Sequence, residues 1–450
     1  MWNFHALGIL YVKDIMREDL LHFIWEFRKF NFLNLFTACG KSVEILNPGK
    51  INKLDGPDFF MAKIKIDDTI WVGNVEIHIN ASDWYKHQHQ LDKKYENIIL
   101  HVVYKNDLKS DFPFPVLELQ GKIPPILFQR FLKIMESKSN ILCQNYLPEI
   151  PNIIKTNWQE RLLIERLERK NKEIEALFFE TKNDWENTFF RYLGRYLGGS
   201  KNKNTFDLLF KSFELNILSK HADNIFQIEA ILLGQAGFLE GNHKEEYPNK
   251  IKEEYLFLKH KYKLTPIPLF LWDFKSIRPP SYPNIRLVQL AQIIHHNFPF
   301  FDKIIQNNGA EINLLFENIA ASNFWTNHYL FKPSTQPIIK KTGLSFANMI
   351  YINVIFPFLY TYGKLSQKPW MQENALQYIR KLKPEKNHIT ALFKPNEFEN
   401  HNAANSQSLI QLFENYCSKK KCLNCSIGNK ILREEKTKFV VEEEWLSWAI

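Results

Sequence analysis

A change of hydrophobic period near residue 124 constrains this chain more than any other feature. Upstream of it, apolar residues recur at every second position. Phe60, Ala62, Ile64 and Ile66 alternate with Met61, Lys63, Lys65 and Asp67, and after an Asp67-Asp68 turn Val75, Ile77 and Ile79 alternate with Asn74, Glu76, His78 and Asn80. Successive strand side chains project to opposite faces, so the pattern predicts a β-hairpin with one apolar and one polar face. The run NIILHVVY at 97–104 is almost continuously apolar, which suits a strand covered on both faces at a sheet centre. Short runs at 42–46 and 116–120 predict flanking strands.

A helix precedes these strands: REDLLHFIWEFRK at 17–29 spaces Leu20, Leu21, Ile24, Trp25 and Phe27 at helical intervals. After Pro124 and Pro125 the helical period takes over, first in ILFQRFLKIME and then in NWQERLLIERLERKNKEIEALFFE. Further helical patterns follow at 184–197, 205–218, 225–239, 250–261, 285–296, 344–356, 371–382 and 406–416. SKSN and the prolines at 148 and 151 mark a boundary between a β-rich domain, 1–140, and a helical region, 150–450. The longest uncharged run, between Lys341 and Lys364, contains Ser345, Asn348, Asn353, Pro357 and Thr361, which are unfavourable in lipid. It is expected to be a core helix ending near Pro357, not a membrane span.

A chain of 450 residues suggests two or three domains. Lys and Arg outnumber Asp and Glu by 58 to 49, for a net charge of +9, and a positive field attracts polyanions such as nucleic acid. The opening MWNFHALGILYVKD lacks the pattern of a secretory leader, so a cytoplasmic location is expected. Five cysteines, an odd number, argue against a disulfide framework.

The polar face of the hairpin carries the chemistry. Gly56-Pro57-Asp58-Phe59 opens the first hairpin strand, and Val75-Glu76-Ile77-His78 lies within the second. An acid at one position and a polar residue two further on point side by side into one cleft. Pro57-Asp58 also reads as a simple turn, and Glu76 with His78 as a solvated strand face. The order helix, strand, strand with Asp, strand with Glu, strand over residues 17 to 120 resembles the core of the PD-(D/E)XK nucleases. The resemblance implies an α+β fold class, with an N-terminal restriction-endonuclease-like mixed sheet flanked by helices and followed by a large all-helical region. It further implies Mg2+ or Mn2+ held by Asp58 and Glu76 for phosphodiester hydrolysis of DNA or RNA. His78 stands where that family has a Lys, and the helix between the third and fourth strands is reduced to SDWYKHQHQLDKKYE. The alternative is a catalytically inactive nuclease-fold protein that binds nucleic acid or acts as a scaffold.

Further candidates surround this pair. His87 and His89 alternate with Gln in a loop-like stretch, either a solvated surface or a lid facing substrate; His101, inside the apolar strand, needs a hydrogen-bond partner or a metal. Cys417, Cys422 and Cys425 fall in a C-x4-C-x2-C spacing, and Cys143 supplies a fourth thiolate for zinc or an iron-sulfur cluster. One upstream and three downstream cysteines are similar to the 4Fe-4S arrangement of certain nuclease relatives; reduced thiols on the basic loop of Lys419, Lys420 and Lys421 are the plainer reading. Cys39 has no partner in sequence and is expected to be buried. Arg278 and Arg286, in SIRPPSYPNIRL, offer guanidinium forks for phosphates or for structural carboxylates. Taken whole, the stretches GPDF, GNVEIHINASDWYKHQH, NIILHVVY, GQAGFL, RPPSYPNIRL and CLNCSIGN resemble a bacterial family known only as a domain of unknown function.

Overall fold

A computed structural model describes residues 16–52, 54–108, 112–306, 313–334 and 336–433; the opening segment read above for a leader lies outside them. The fold is α+β, a mixed sheet with helices followed by a large helical region. Seven strands form the sheet: β1 (Leu35–Phe36), β2 (Ser42–Asn47), β3 (Lys50–Ile51), β4 (Phe59–Ile66), β5 (Thr69–Asn80), β6 (Ile98–Lys105) and β7 (Val116–Glu118). Their order is β1-β2-β4-β5-β6-β7, with β3 beside β4. The predicted hairpin is β4 and β5, closed by Ile66 opposite Thr69 across Asp67, whose φ of 50° makes the tight turn. β6 runs parallel to β5 and β7 parallel to β6, so a connection must cross between β5 and β6. That connection is residues 81–97, which contain the short helix Asp83–Lys86.

β6 is buried from Ile98 through Val103, as a strand flanked on both sides requires. It approaches β5 so closely that a Cβ at Gly73 would sit 2.4 Å from Ile99 Cγ2. The helix Glu18–Glu26 covers β5 with Leu20, Leu21, Phe23, Ile24 and Trp25. Each such fully buried side chain contributes about 1.5–3 kcal/mol. Trp25 also donates its indole N–H to Pro48 O at 3.0 Å.

One detail departs from simple alternation. The pairing shifts between Phe59 and Ala62, where Met61 takes a φ of 56°, so β4 carries a bulge. Phe59 is fully buried, while Phe60 and Met61 are exposed. Alternation assigned the inner position to Phe60, and the extra residue hands it to Phe59. The same bulge pairs Phe59 with Val75 and brings Asp58 opposite Glu76 and Ile77.

The chain divides into two compact units. One comprises residues up to Trp158 with Ala391–Phe398 and the chain from Leu412 on; the other comprises Gln159–Thr390 and Glu399–Gln411. Helices dominate the second unit, with one short antiparallel pair at His328–Tyr329 and Lys332–Pro333. The helix expected over 205–218 is two, Gly199–Lys211 and Leu215–Ser219, because the chain breaks at Ser212-Phe213-Glu214. The helix from Leu344 does not end near Pro357. It passes through a wide turn at Tyr351–Ile355 and continues to Leu365. Pro357 lacks an N–H for the Asn353 carbonyl four residues back, and Lys170 Nζ approaches that carbonyl at 3.4 Å and Asn353 Oδ1 at 2.9 Å. By length and composition Leu344–Leu365 could cross a membrane, but 67% of its apolar stretch is buried inside the protein.

Candidate metal centre

Asp58 and Glu76 interlock through the backbone. The Asp58 N–H donates to Glu76 Oε2 at 3.1 Å, and the Ile77 N–H donates to Asp58 Oδ2 at 2.9 Å. The loop before Asp58 is pinned by Asn52, whose N–H donates to Asp58 O at 2.7 Å and whose Nδ2 donates to Pro57 O at 3.0 Å. With Oε2 fixed, Glu76 Oε1 turns toward the histidines. It lies 3.3 Å from His89 Nε2 and 3.6 Å from His78 Nε2.

The histidines arrive from two elements. His78 is two residues beyond Glu76 on β5, so alternation places it beside the carboxylate. His87 and His89 come from the crossover. Asp83 Oδ2 accepts from the Asn80 N–H at 2.9 Å and anchors the start of that segment. Gln88, between the two histidines, takes a left-handed φ of 61°, and this reversal lets both rings approach His78. The ligand nitrogens of His78, His87 and His89 all lie within 4.8 Å of one another, with His87 Nδ1 3.2 Å from His78 Nε2. For bonds of about 2.0–2.1 Å, the edges of a tetrahedral site are about 3.4 Å. The separations of 3.2, 3.3 and 3.6 Å among the four residues are of that size.

Behind this cluster His101 Nε2 lies 2.9 Å from His78 Nδ1. If His78 Nε2 presents its lone pair to a cation, Nδ1 carries the proton and donates it to His101. His101 thus sits behind the donors, fully buried, with no hydrogen bond to its Nδ1 among the described residues. Trp84, Phe112 and Phe114 pack around it, and Tyr95 lies against His89 with ring centroids 4.0 Å apart.

The electrostatics suit a cation. Burial first, then the neighbouring imidazoles, pushes His78 down to about 2; burial, then His89, pushes His101 down to about 4. Burial, then His87, also lowers His89. All three are neutral near pH 7, the form that ligates metal. Burial and then the Asp58 charge push Glu76 up to about 9, so without a cation it holds a proton.

Glu18 and His22 were not singled out from sequence. They stand four apart on the helix Glu18–Glu26, and both turn toward the centre. His22 Nε2 lies 3.2 Å from Asp58 Oδ2. Burial opposes protonation of His22, but its bond to Asp58 and that charge outweigh burial and raise its pKa. The available signal was the i, i+4 spacing of Glu18 and His22 on a helix whose other polar residues are Asp19 and Glu26.

The family model described as protein of unknown function (DUF2851) matches residues 18–388. The chain belongs to this family. No curated protein and no solved structure matches it. The DUF2851 match contains every residue of the centre, from Glu18 to His101, and Cys143, and ends before Cys417, Cys422 and Cys425.

The remaining candidates fall elsewhere in this DUF2851 member. Arg278 and Arg286 belong to the second unit. The Arg286 guanidinium donates to Gln289 Oε1 at 2.9 Å and Ser281 Oγ at 3.2 Å and lies 4.2 Å from the centre of the Phe346 ring. Burial lowers its pKa to about 10, and its contacts are internal ones. Cys39 is exposed, not buried, with its sulfur 3.2 Å from Thr37 Oγ1; it sits in the turn joining β1 to β2, whose neighbours Ala38, Gly40 and Lys41 are also exposed. Cys143, Cys417, Cys422 and Cys425 all lie in the first unit.

Proposed function

We propose that this protein is a metal-dependent phosphodiesterase of the PD-(D/E)XK type that cleaves DNA or RNA. The observation that carries the reading is the convergence of His78, His87 and His89, with Glu76 Oε1 3.6 Å from His78 Nε2 and 3.3 Å from His89 Nε2, beside Asp58. The sheet order supports it, since Asp58 enters one strand of a hairpin and Glu76 lies in the next, with a central strand alongside. In this reading His78 is a ligand, not a substitute for a lysine. Three imidazoles and one carboxylate favour a zinc-like transition ion over Mg2+, which keeps to oxygen ligands, and Mn2+ accepts the mixed set more weakly. When bound, such a cation neutralises phosphate charge and acidifies a water. Glu76 holds the ion through Oε1 while the Asp58 backbone fixes Oε2. Asp58, outside the donor set and with Oδ2 3.2 Å from His22 Nε2, is placed with His22 to accept the proton of an attacking water. The net charge of +9 favours approach of a polyanion.

The test is cleavage of single- and double-stranded DNA and RNA by full-length protein with Mn2+, Zn2+ or Mg2+, alongside Asp58→Ala, Glu76→Ala and His78→Lys. Metal-dependent cleavage lost in all three supports the reading. Activity retained in His78→Lys would return His78 to the lysine's role. Wild-type protein that binds the ion yet cleaves none of these substrates would favour the inactive nucleic-acid-binding scaffold.

A further inference from the structure

We infer that Cys143, Cys417, Cys422 and Cys425 ligate a 4Fe-4S cluster, separate from the histidine centre. Each of the four thiols lies within electrostatic reach of the other three: Cys143 of Cys422 and Cys425, Cys417 of all the others, and Cys422 of Cys425. No disulfide joins any of them.

Local structure explains how three of them reach it. Cys417 closes a wide helical turn over Phe413–Cys417, and Lys420, with a φ of 53°, reverses the chain. Cys422 then begins a tight turn, in which the Cys425 N–H donates to Cys422 O at 3.2 Å. Cys425 stands immediately before the helix Ser426–Arg433, whose Asn429 N–H caps Cys425 O at 2.8 Å. Gly428 permits this fold-back, since a Cβ there would sit 2.2 Å from Cys422 O. That helix packs on Pro125–Met135, the helix leading to Cys143, and Tyr416 meets Trp158 edge-on at 5.2 Å. Thus the fourth ligand is delivered from the other end of the same unit.

The size of the site selects the cofactor. Sulfurs around a single zinc, each about 2.3 Å from the metal, lie about 3.8 Å from one another. Among the described residues, the three ligand atoms that all lie within 4.8 Å of one another are those of His78, His87 and His89; no three of the four sulfurs are that close. That spacing is wider than a single zinc takes and leaves room for an iron-sulfur cluster. Burial raises the Cys143 and Cys417 thiols and pushes Cys422 up to about 12, so all three are protonated without metal. Ligation exchanges each S–H for an S–Fe bond and releases the proton to solvent, while iron and sulfide come from cluster assembly. Lys419, Lys420 and Lys421 on the connecting turn offset the negative charge of the thiolate-bound cluster.

The experiment is anaerobic purification of the full chain followed by iron, zinc and acid-labile sulfide analysis, visible absorption, and EPR after reduction. About four iron and four sulfide per chain are expected, with loss of the visible band in Cys143→Ser and Cys417→Ser and no change in Cys39→Ser. If the serine variants fail to fold, the wild-type iron and sulfide content decides alone. Zinc in place of iron, absence of both, or iron unchanged in folded Cys143→Ser would overturn the assignment. Because Mn2+ binding at the histidine centre is measured separately, failure here leaves the phosphodiesterase reading standing, and the reverse also holds.

Discussion

His78 Nδ1 stands 2.9 Å from His101 Nε2, behind the nitrogen that His78 offers to the other donors. The pair explains why a histidine occupies a strand that is otherwise apolar: it accepts the proton that fixes the tautomer of its neighbour. His101→Ala is expected to weaken Mn2+ binding about 10- to 100-fold, the usual effect of losing an outer-shell partner, while His78→Ala removes it. His101→Gln, which keeps an acceptor, recovers part of the affinity. Calorimetric titration of the variants checks this, and equal affinities for wild type and His101→Ala would contradict it.

Glu76 sets the pH dependence. Its ordinary value of 4.5 rises to about 9 in the folded protein, so a cation must expel a proton to gain the carboxylate. Affinity for Mn2+ should climb about tenfold per pH unit between pH 7 and 9 and level off above that. The same shift affects stability. The folded state holds this proton more tightly than the unfolded one, so metal-free protein loses stability as pH rises from 4.5 through 9. His78, depressed to about 2, works in the opposite sense, but only below its ordinary 6.5. Melting of metal-free protein between pH 7 and 9 should therefore show a falling Tm, and Glu76→Gln should flatten both the melting and the affinity profiles. A rising wild-type Tm over that range would contradict the assignment.

Gly73 lies against the start of β6, with a virtual Cβ 2.4 Å from Ile99 Cγ2 and 2.9 Å from Asn97 O. Gly73→Ala is expected to destabilise by about 1–3 kcal/mol through overpacking. It should also weaken ion binding, since Glu76 and His101 pair across the same two strands. Urea denaturation and Mn2+ titration of the variant read the two effects separately.

Lys170 is expected to matter for a different reason. Its buried Nζ serves the Asn353 carbonyl, to which Pro357 has no N–H to donate. Lys170→Ala removes both packing and hydrogen bond and should cost about 2–5 kcal/mol in denaturant unfolding.

Much of this centre could be read from the sequence because strand alternation states which side chains share a face. Glu76 and His78 were placed together on that ground, and the hairpin that carries them formed where Asp67-Asp68 predicted it. The rest depended on geometry that no period encodes. The bulge at Met61 uses a non-glycine residue at positive φ, so nothing marked the slip that buries Phe59 in place of Phe60. His87 and His89 meet because Gln88 turns left-handed, a conformation that its residue type does not announce. Glu18 and His22 join only through packing of the first helix on β5. Pro357 was read as a helix end because the rescue of Asn353 comes from Lys170, 183 residues away in sequence.

The central claim is that Glu76, His78, His87 and His89 together hold one divalent cation. Calorimetric titration of EDTA-treated full-length protein with Mn2+, an ion that thiolates bind poorly, tests it without interference from the cysteines. The account predicts one saturable site per chain in the wild type, lost in Glu76→Ala and in His87→Ala while circular dichroism stays unchanged. Absence of saturable binding, or one site retained in a folded Glu76→Ala, His87→Ala double variant, would contradict it.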